Sequence, residues 1–167
     1  MSRRCTSTIA HISLLLLLTT GCGSVQQGMV AGSTPTATPV TLTQLASSYR
    51  ILANRLRVAL CGFAAIAASK DPSTDILRGA AKNTADTSSS VTNRLAKLPW
   101  PGRMQADSQN LIMAVARVEA DLRIAAERST RASVIKHAQS ALKLIKRIPQ
   151  SSASLRKDLH IADESWC

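Results

Sequence analysis

The sequence predicts an all-α protein, an up-down four-helix bundle with a short fifth C-terminal helix, preceded by a signal peptide and a flexible tether. Three observations carry this. Apolar residues recur at alternating steps of four and three over four long stretches, which places them on one side of a helix. Short turns rich in Pro, Gly and Ser separate the stretches, and short connections make neighbouring helices antiparallel. Aromatic residues are scarce: Tyr49, Phe63, Trp100 and Trp166 are the whole set. Ala, Leu, Ile and Val must then build the core, which favours close-packed helices over a β-sandwich with its β-branched and aromatic faces.

The first helix is expected from a cap at Thr41 or Thr43 to about Ser69, with Leu45, Tyr49, Leu52, Leu56, Ala59, Phe63 and Ile66 inward. Asp71-Pro72 reads as the next start, a capping carboxylate followed by Pro at the first helical position. The second helix, to about Lys97, presents Ile76, Leu77, Ala80, Thr84, Val91, Leu95 and Leu98, and its middle, Thr84 to Ser90, is small and polar. Leu98-Pro99-Trp100-Pro101-Gly102 cannot be helix interior, since each Pro biases its predecessor to extended geometry. It reads as the central turn, with Trp100 folded over the end of the bundle. The third helix, about 104–128, repeats the pattern in Met104, Ser108, Leu111, Val115, Val118, Leu122 and Ala125, with Glu119→Arg123 and Glu127→Arg131 spaced for helical ion pairs. Ser133 is the expected cap of a fourth helix that turns Val134, Ile135, Ala138, Leu142, Ile145 and Ile148 inward and stops at Pro149. A fifth helix opens at Ser151 or Ser152 and places Leu155, Leu159, Ala162 and Trp166 on one side, running parallel to the first.

The N-terminus has a different character. Arg3 and Arg4 precede a mostly apolar stretch from Ile9 to Leu18, closed by Thr19-Thr20-Gly21-Cys22. A charged start, an apolar run of about 7–15 residues and small residues at the end describe a secretory signal peptide. The run is short of the roughly 20 residues that a spanning helix needs. The ending resembles the lipobox of bacterial lipoproteins; Gly21 and Cys22 fit it and Thr19 departs from it. The resemblance implies a diacylglycerol on the Cys22 thiol, fatty chains of the palmitate type, and cleavage before Cys22. The alternative is an ordinary signal cut near Ala31. Arg3-Arg4 hints at twin-arginine export, but Cys5-Thr6-Ser7 lacks the bulky apolar residues that follow such a pair.

From Arg4 to Arg50 no residue between is charged. Gly23 to about Pro39, rich in Gly, Ser, Thr, Gln and Pro, cannot bury much apolar surface and reads as a flexible tether. Coil scaling gives it a span of roughly 20–25 Å. The expected organisation is therefore 1–21 signal peptide, 22–40 lipidated Cys22 and tether, and 41–167 bundle. Processing removes two arginines, so the formal charge falls from +11 to about +9, and a single domain remains. Two cysteines are left over, Cys61 and Cys167. In an exported domain such a pair suggests a disulfide; the alternative is a buried Cys61 and a frayed thiol at Cys167. Cys61 stands roughly 27 Å along the first helix and Cys167 roughly 24 Å along a parallel fifth, similar heights at 1.5 Å per residue.

Residues 95–122, "LAKLPWPGRMQADSQNLIMAVARVEADL", resemble a loose set of uncharacterised helical lipoproteins of actinobacteria, through Leu98, Trp100, Pro101, Asp107, Leu111, Asp121 and Leu122. The likeness extends to "SSYRILANRLRVAL". It implies a secreted helical bundle and brings no activity, catalytic residue, metal or cofactor.

The residues themselves point to no catalytic chemistry. There is no Gly-rich phosphate loop, haem-attachment pair, nucleophile elbow or Glu-x-x-His pair, so the chain is not expected to be an enzyme. His160 shares a helical face with Glu164, but one imidazole and a few carboxylates read as a solvated helix end before a metal site. His137, beside Lys136, reads as a surface residue. From Arg128 to Lys157 there are eight basic residues and no acid. Lys136, Ser140, Lys143 and Arg147 align on the outer face of the fourth helix, with Lys146 adjacent. Lys136, Lys143, Lys146 and Arg147 are the candidate contacts for anionic lipid headgroups or wall polymers, the alternative being a solvated basic face. Nucleic acid is not an expected partner, because the face lacks stacking aromatics. The expected role is a membrane-anchored, extracytoplasmic binding or scaffolding module held through Cys22. The alternative is a small-ligand carrier or sensor with a pocket near Thr84, Thr87 and Ser88.

Overall fold

The first helix begins where Thr41 satisfies amides that a helix start leaves without partners. In the computed structural model, which describes residues 40–162 and 166–167, Thr41 and Gln44 form a reciprocal capping box: the Gln44 amide donates to Thr41 Oγ1 at 3.2 Å and the Thr41 amide donates to Gln44 Oε1 at 2.9 Å. Helix α1 (Leu42–Ala68) buries Leu45, Tyr49, Leu52, Leu56, Leu60 and Phe63. Leu60 takes the place expected of Ala59, and Ile66 is only half-buried. A Ser69 hydroxyl donating to the Ile66 carbonyl at 2.7 Å closes the helix.

The second start lies two residues later than Asp71-Pro72 suggests. Ser73 is the cap of α2 (Thr74–Leu95), accepting from the Ile76 amide, with Asp75 in the first turn. Asp71 instead adopts a left-handed backbone, φ 59°, and pairs with Arg131. Ile76 points out, 60 % exposed, while Leu77, Ala81, Thr84, Ala85, Ser88, Val91, Thr92 and Leu95 are buried. The small polar middle of α2 is thus core: small side chains let this helix approach its neighbours closely.

Trp100 closes the lower end. Its Nε1 donates to the Leu95 carbonyl at 2.8 Å, and its ring meets Tyr49 edge-on with centroids 6.1 Å apart. Helix α3 (Gly102–Glu127) follows, with all seven expected positions buried. Its last turn is capped from α2, where Arg78 Nε donates to the Ala126 carbonyl at 3.0 Å. Because α3 stops at Glu127, Glu127 and Arg131 fall in different helices, and Arg131 pairs with Asp71 instead.

Helix α4 (Arg131–Ile145) starts from Thr130, three residues before the expected cap, so that Ser133 lies in its first turn. After Ile145 the chain bends through α5 (Ile148–Ser151) and α6 (Ala153–Asp158). Pro149 sits in the first turn of α5, where its missing amide costs nothing, so it starts a turn rather than ending one. These segments continue the descent of α4. Ile135 faces the level of Ala67, Ile145 that of Ala64, Arg156 that of Tyr49, and Leu159 that of Leu42. The expected short C-terminal helix is present in bent form, as α5 and α6, and it runs antiparallel to α1 instead of parallel to it. Helix α6 ends at Asp158, His160 takes a left-handed backbone of φ 53°, and Ile161, Ala162, Trp166 and Cys167 lie outside any helix.

Among the described residues there are helices and no strand, and Thr38–Cys167 is a compact unit of its own. Helices α1, α2, α3 and α4 pack in sequence, whereas α1 and α4 meet only sparsely across the fourth side. The C-terminal residues fill that seam. Ile161 and Trp166 pack on the core, and Cys167 is disulfide-bonded to Cys61 with their Cα atoms 5.2 Å apart.

Candidate interaction surface

The charged side chains are sorted by side of the bundle, and the sorting begins in the sequence. The first acidic residue of the whole chain is Asp71, so α1 carries Arg50, Arg55 and Arg57 and no acid. Seven of the ten acidic residues lie between Asp71 and Glu127, on α2, α3 and their flanks. The chain is acid-free again until Asp158. The fold then sets the two acid-free helices, α1 and α4, on either side of the same seam.

The α2–α3 side neutralises itself. Lys82 Nζ reaches Asp86 Oδ2 at 2.8 Å, and Arg123 spans from Glu119 Oε1 at 2.9 Å to Asp86 Oδ1 at 3.4 Å. The Lys82 hydrogen bond, together with the Lys82 and Arg123 charges, holds the Asp86 carboxyl below the usual aspartate range. The Glu119 hydrogen bond, with the charges of Glu119 and Asp86, pushes the Arg123 guanidinium up.

On the other side, Lys136, Lys143, Lys146 and Arg147 are all exposed, as expected of them. They do not form one row. Lys136 and Lys143 share the outer face of α4 at a spacing of seven. Lys146 borders the seam instead, lining a cavity of about 150 Å³ with Ala64, Leu142, Ile145, Pro149 and Trp166. Ser140 leaves the outer face: its hydroxyl donates to Asp121 Oδ2 of α3 at 2.6 Å. His137 is half-buried with Nδ1 3.4 Å from Asp121 Oδ1, so it is not the plain surface residue its Lys136 neighbour suggests. In this group the carboxylate faces both partners and no imidazole activates the serine; it fastens α3 to α4. Arg156 is withdrawn from the basic face altogether, buried and donating to Ser152 Oγ and to the Pro149 carbonyl.

Cys22 lies outside the described residues, as does Glu164, the expected partner of His160. His160 lines an open cleft of about 320 Å³ with Leu42, Thr43, Arg50, Asp158 and Leu159. Among the described residues no group of three or more His, Cys, Asp or Glu is placed to hold a metal ion. Thr84 Oγ1 donates to the Ala59 carbonyl at 3.5 Å, Thr87 is half-buried, and Ser88 is fully buried with no hydrogen-bond partner for its hydroxyl. These three line none of the clefts just described.

Helix α1 carries a second row of residues on this side, beside its core stripe. Ile51, Arg55, Val58, Gly62 and Ala65 all face outward on α1. Their spacing of four, three, four and three was as legible as that of the core stripe beside it; two apolar stripes on one helix compete, and the larger residues win the reading.

No protein-family model, no curated protein and no solved structure matches this chain. The class of protein is therefore defined by its fold and surface alone: a disulfide-closed helical bundle with one ion-paired side and one basic side whose two long helices carry no acid.

Proposed function

We propose that the chain is a lipid-anchored, extracytoplasmic module of a bacterial cell envelope that acts by binding or scaffolding, fastened through Cys22. The observation that carries this reading is the pairing of the two acid-free helices across one seam. Arg50, Arg55, Lys136, Lys143 and Arg147 are left outward without carboxylates on their own elements. Such a side is attracted to anionic headgroups or anionic wall polymers over about a Debye length, roughly 8–10 Å at physiological salt. The lipobox-like Thr-Thr-Gly-Cys ending and the Cys61–Cys167 disulfide support an exported location. A diacylglycerol supplies two chains, and two chains hold stably where one holds marginally. Cys22→Ser should thus move the protein from the membrane pellet to the medium in a fractionated culture. A variant that stays in the pellet and is processed as before would sink the anchor.

The carrier alternative looks to a pocket near Thr84, Thr87 and Ser88, which line none of the clefts described above; the seam cavity beside the disulfide is another place for a ligand. At about 150 Å³ it is smaller than the roughly 300 Å³ at which ligand pockets usually begin. A small molecule retained through purification, seen by native mass spectrometry, would favour the carrier.

A further inference from the structure

Helix α1 is long and apolar enough to cross a membrane by composition, yet only 22 % of its most apolar stretch is buried. Its core stripe accounts for that buried share. Of the remainder, Ala53, Ile66 and Ala67 are half-buried against the core, and one row faces outward: Ile51 is 63 % exposed and Val58 62 %, with Arg55 between them and Gly62 and Ala65 continuing the line. Neither packing nor propensity explains this pair. Exposed side chains add nothing to the core, and β-branched residues are slightly unfavourable in helices. The mid-helix outward positions of α2 and α4 carry Lys82, Asn83, Asp86, Lys136, Gln139 and Lys143; α2 and α3 each expose one large apolar residue, Ile76 and Met113, whereas α1 exposes two in mid-helix, seven residues apart on one face. At the lower end of α1, Val40 and Leu42 are also exposed, 53 % and 43 %.

We infer that the outer side of α1 docks on an anionic phospholipid surface, with Ile51 and Val58 entering the headgroup–acyl boundary and Arg55 and Arg50 meeting phosphates. This rests on the envelope reading above and names the surface that makes the contact. An interfacial helix needs apolar residues on the side facing the lipid and basic residues able to extend to the headgroups, and α1 offers both with no acid of its own; Asp158 lies in the cleft beside Arg50, which leaves Arg55 as the main phosphate contact. A second copy of the chain fits worse. An α1–α1 contact would set Arg55 against Arg55 between two helices that carry no acid, and like charges across an interface are strongly unfavourable. Two outward aliphatic residues are also far from the roughly 800 Å² per partner of a stable interface. The position in the chain agrees: Cys22 lies 18 residues before Val40, and coil scaling lets such a segment reach roughly 20–25 Å, enough for α1 to lie along the bilayer.

The test uses the compact unit Thr38–Cys167, which contains the whole described core and lacks Cys22, so that the anchor cannot contribute. Vesicles of phosphatidylglycerol with phosphatidylcholine are compared by co-sedimentation with phosphatidylcholine alone. The expected result is binding to the anionic vesicles only, reversed by salt. Arg55→Gln should weaken it about five-fold, since one basic residue at such a surface is worth about 1 kcal/mol. The pair Ile51→Ser with Val58→Ser should weaken it roughly tenfold or more. Lys136→Gln with Lys143→Gln should change it much less. These positions are exposed, and circular dichroism checks that each variant stays helical. Absence of binding, binding lost through Lys136 and Lys143 rather than through α1, binding to an anionic wall polymer but not to vesicles, or α1-dependent dimerisation on sizing would each overturn the proposal. None of these outcomes bears on Cys22, whose role is read separately from release of the whole chain.

Discussion

Ser88 shows how much a single hydroxyl decides in this core. It sits at 0 % exposure on α2 with no hydrogen-bond partner, whereas nearby Thr92 donates to the Ser88 and Ser89 carbonyls at 3.1 and 3.0 Å. A buried hydroxyl left unsatisfied costs about 1–3 kcal/mol, and Ala keeps the small volume while improving helix propensity. Ser88→Ala should therefore stabilise the protein by about 1 kcal/mol, read as a higher denaturant midpoint with an unchanged slope. An equal or lower midpoint would mean that the hydroxyl has a partner. The sequence turns Thr84 inward and offers Ser88 as the lining of a pocket, but it does not show that α1 and α3 close over this stretch and leave it packed, nor that Thr92 is buried with it. Asp71 failed at the same scale for a related reason. It competes with Ser73 for the cap, and its pairing with Arg131 sixty residues away is invisible locally.

At the level of elements, the four-three pattern was a complete guide to α3, whose seven expected positions are all buried, because that helix has core on one side only and no Pro or Gly inside. It was a poor guide after Ile145. The intervals of Leu155, Leu159, Ala162 and Trp166 fit a helix, but the link to Cys61 draws the chain end back along α1 while α5 and α6 descend against α3. A distant covalent bond outranks a short periodic pattern. Between α2 and α3 the tie is electrostatic and carries a pH signature. Lys82 and Arg123 depress the Asp86 carboxyl, so its contribution is present above the ordinary aspartate range and is lost as pH falls through its lowered folded value. The raised Arg123 acts at the other extreme, its contribution being lost only under strongly alkaline conditions. An NMR titration should place Asp86 below a typical aspartate, and Lys82→Met should raise it. The stability difference between Lys82→Met and the parent should shrink in acid, once Asp86 is protonated in both. A difference that persists there would show that Lys82 acts by packing and not by charge.

The whole molecule depends on the seam that its helices do not close. Helices α1 and α4 touch sparsely, and Trp166 with Cys167 lies over the gap beside Ala64, Leu142 and Ile145. The Cys167 amide also donates to Cys61 Sγ at 3.2 Å. The disulfide spans 106 residues, nearly the entire bundle, so on the chain-entropy model it constrains the unfolded state by about 4–5 kcal/mol. That is a large share of the 5–15 kcal/mol typical of a domain. It also holds Trp166 against a surface too small to retain it alone. Reduction, or Cys167→Ser, should therefore do two separable things: lower the unfolding free energy by up to about 4–5 kcal/mol, and expose Trp166 while the bundle is still folded. In a Trp100→Phe background, acrylamide quenching reports Trp166 alone. Its fluorescence should become more quenchable on reduction at temperatures where helicity is unchanged. If quenching and helicity change only together, the chain end is part of the cooperative core, and the seam is closed by packing with the disulfide as reinforcement.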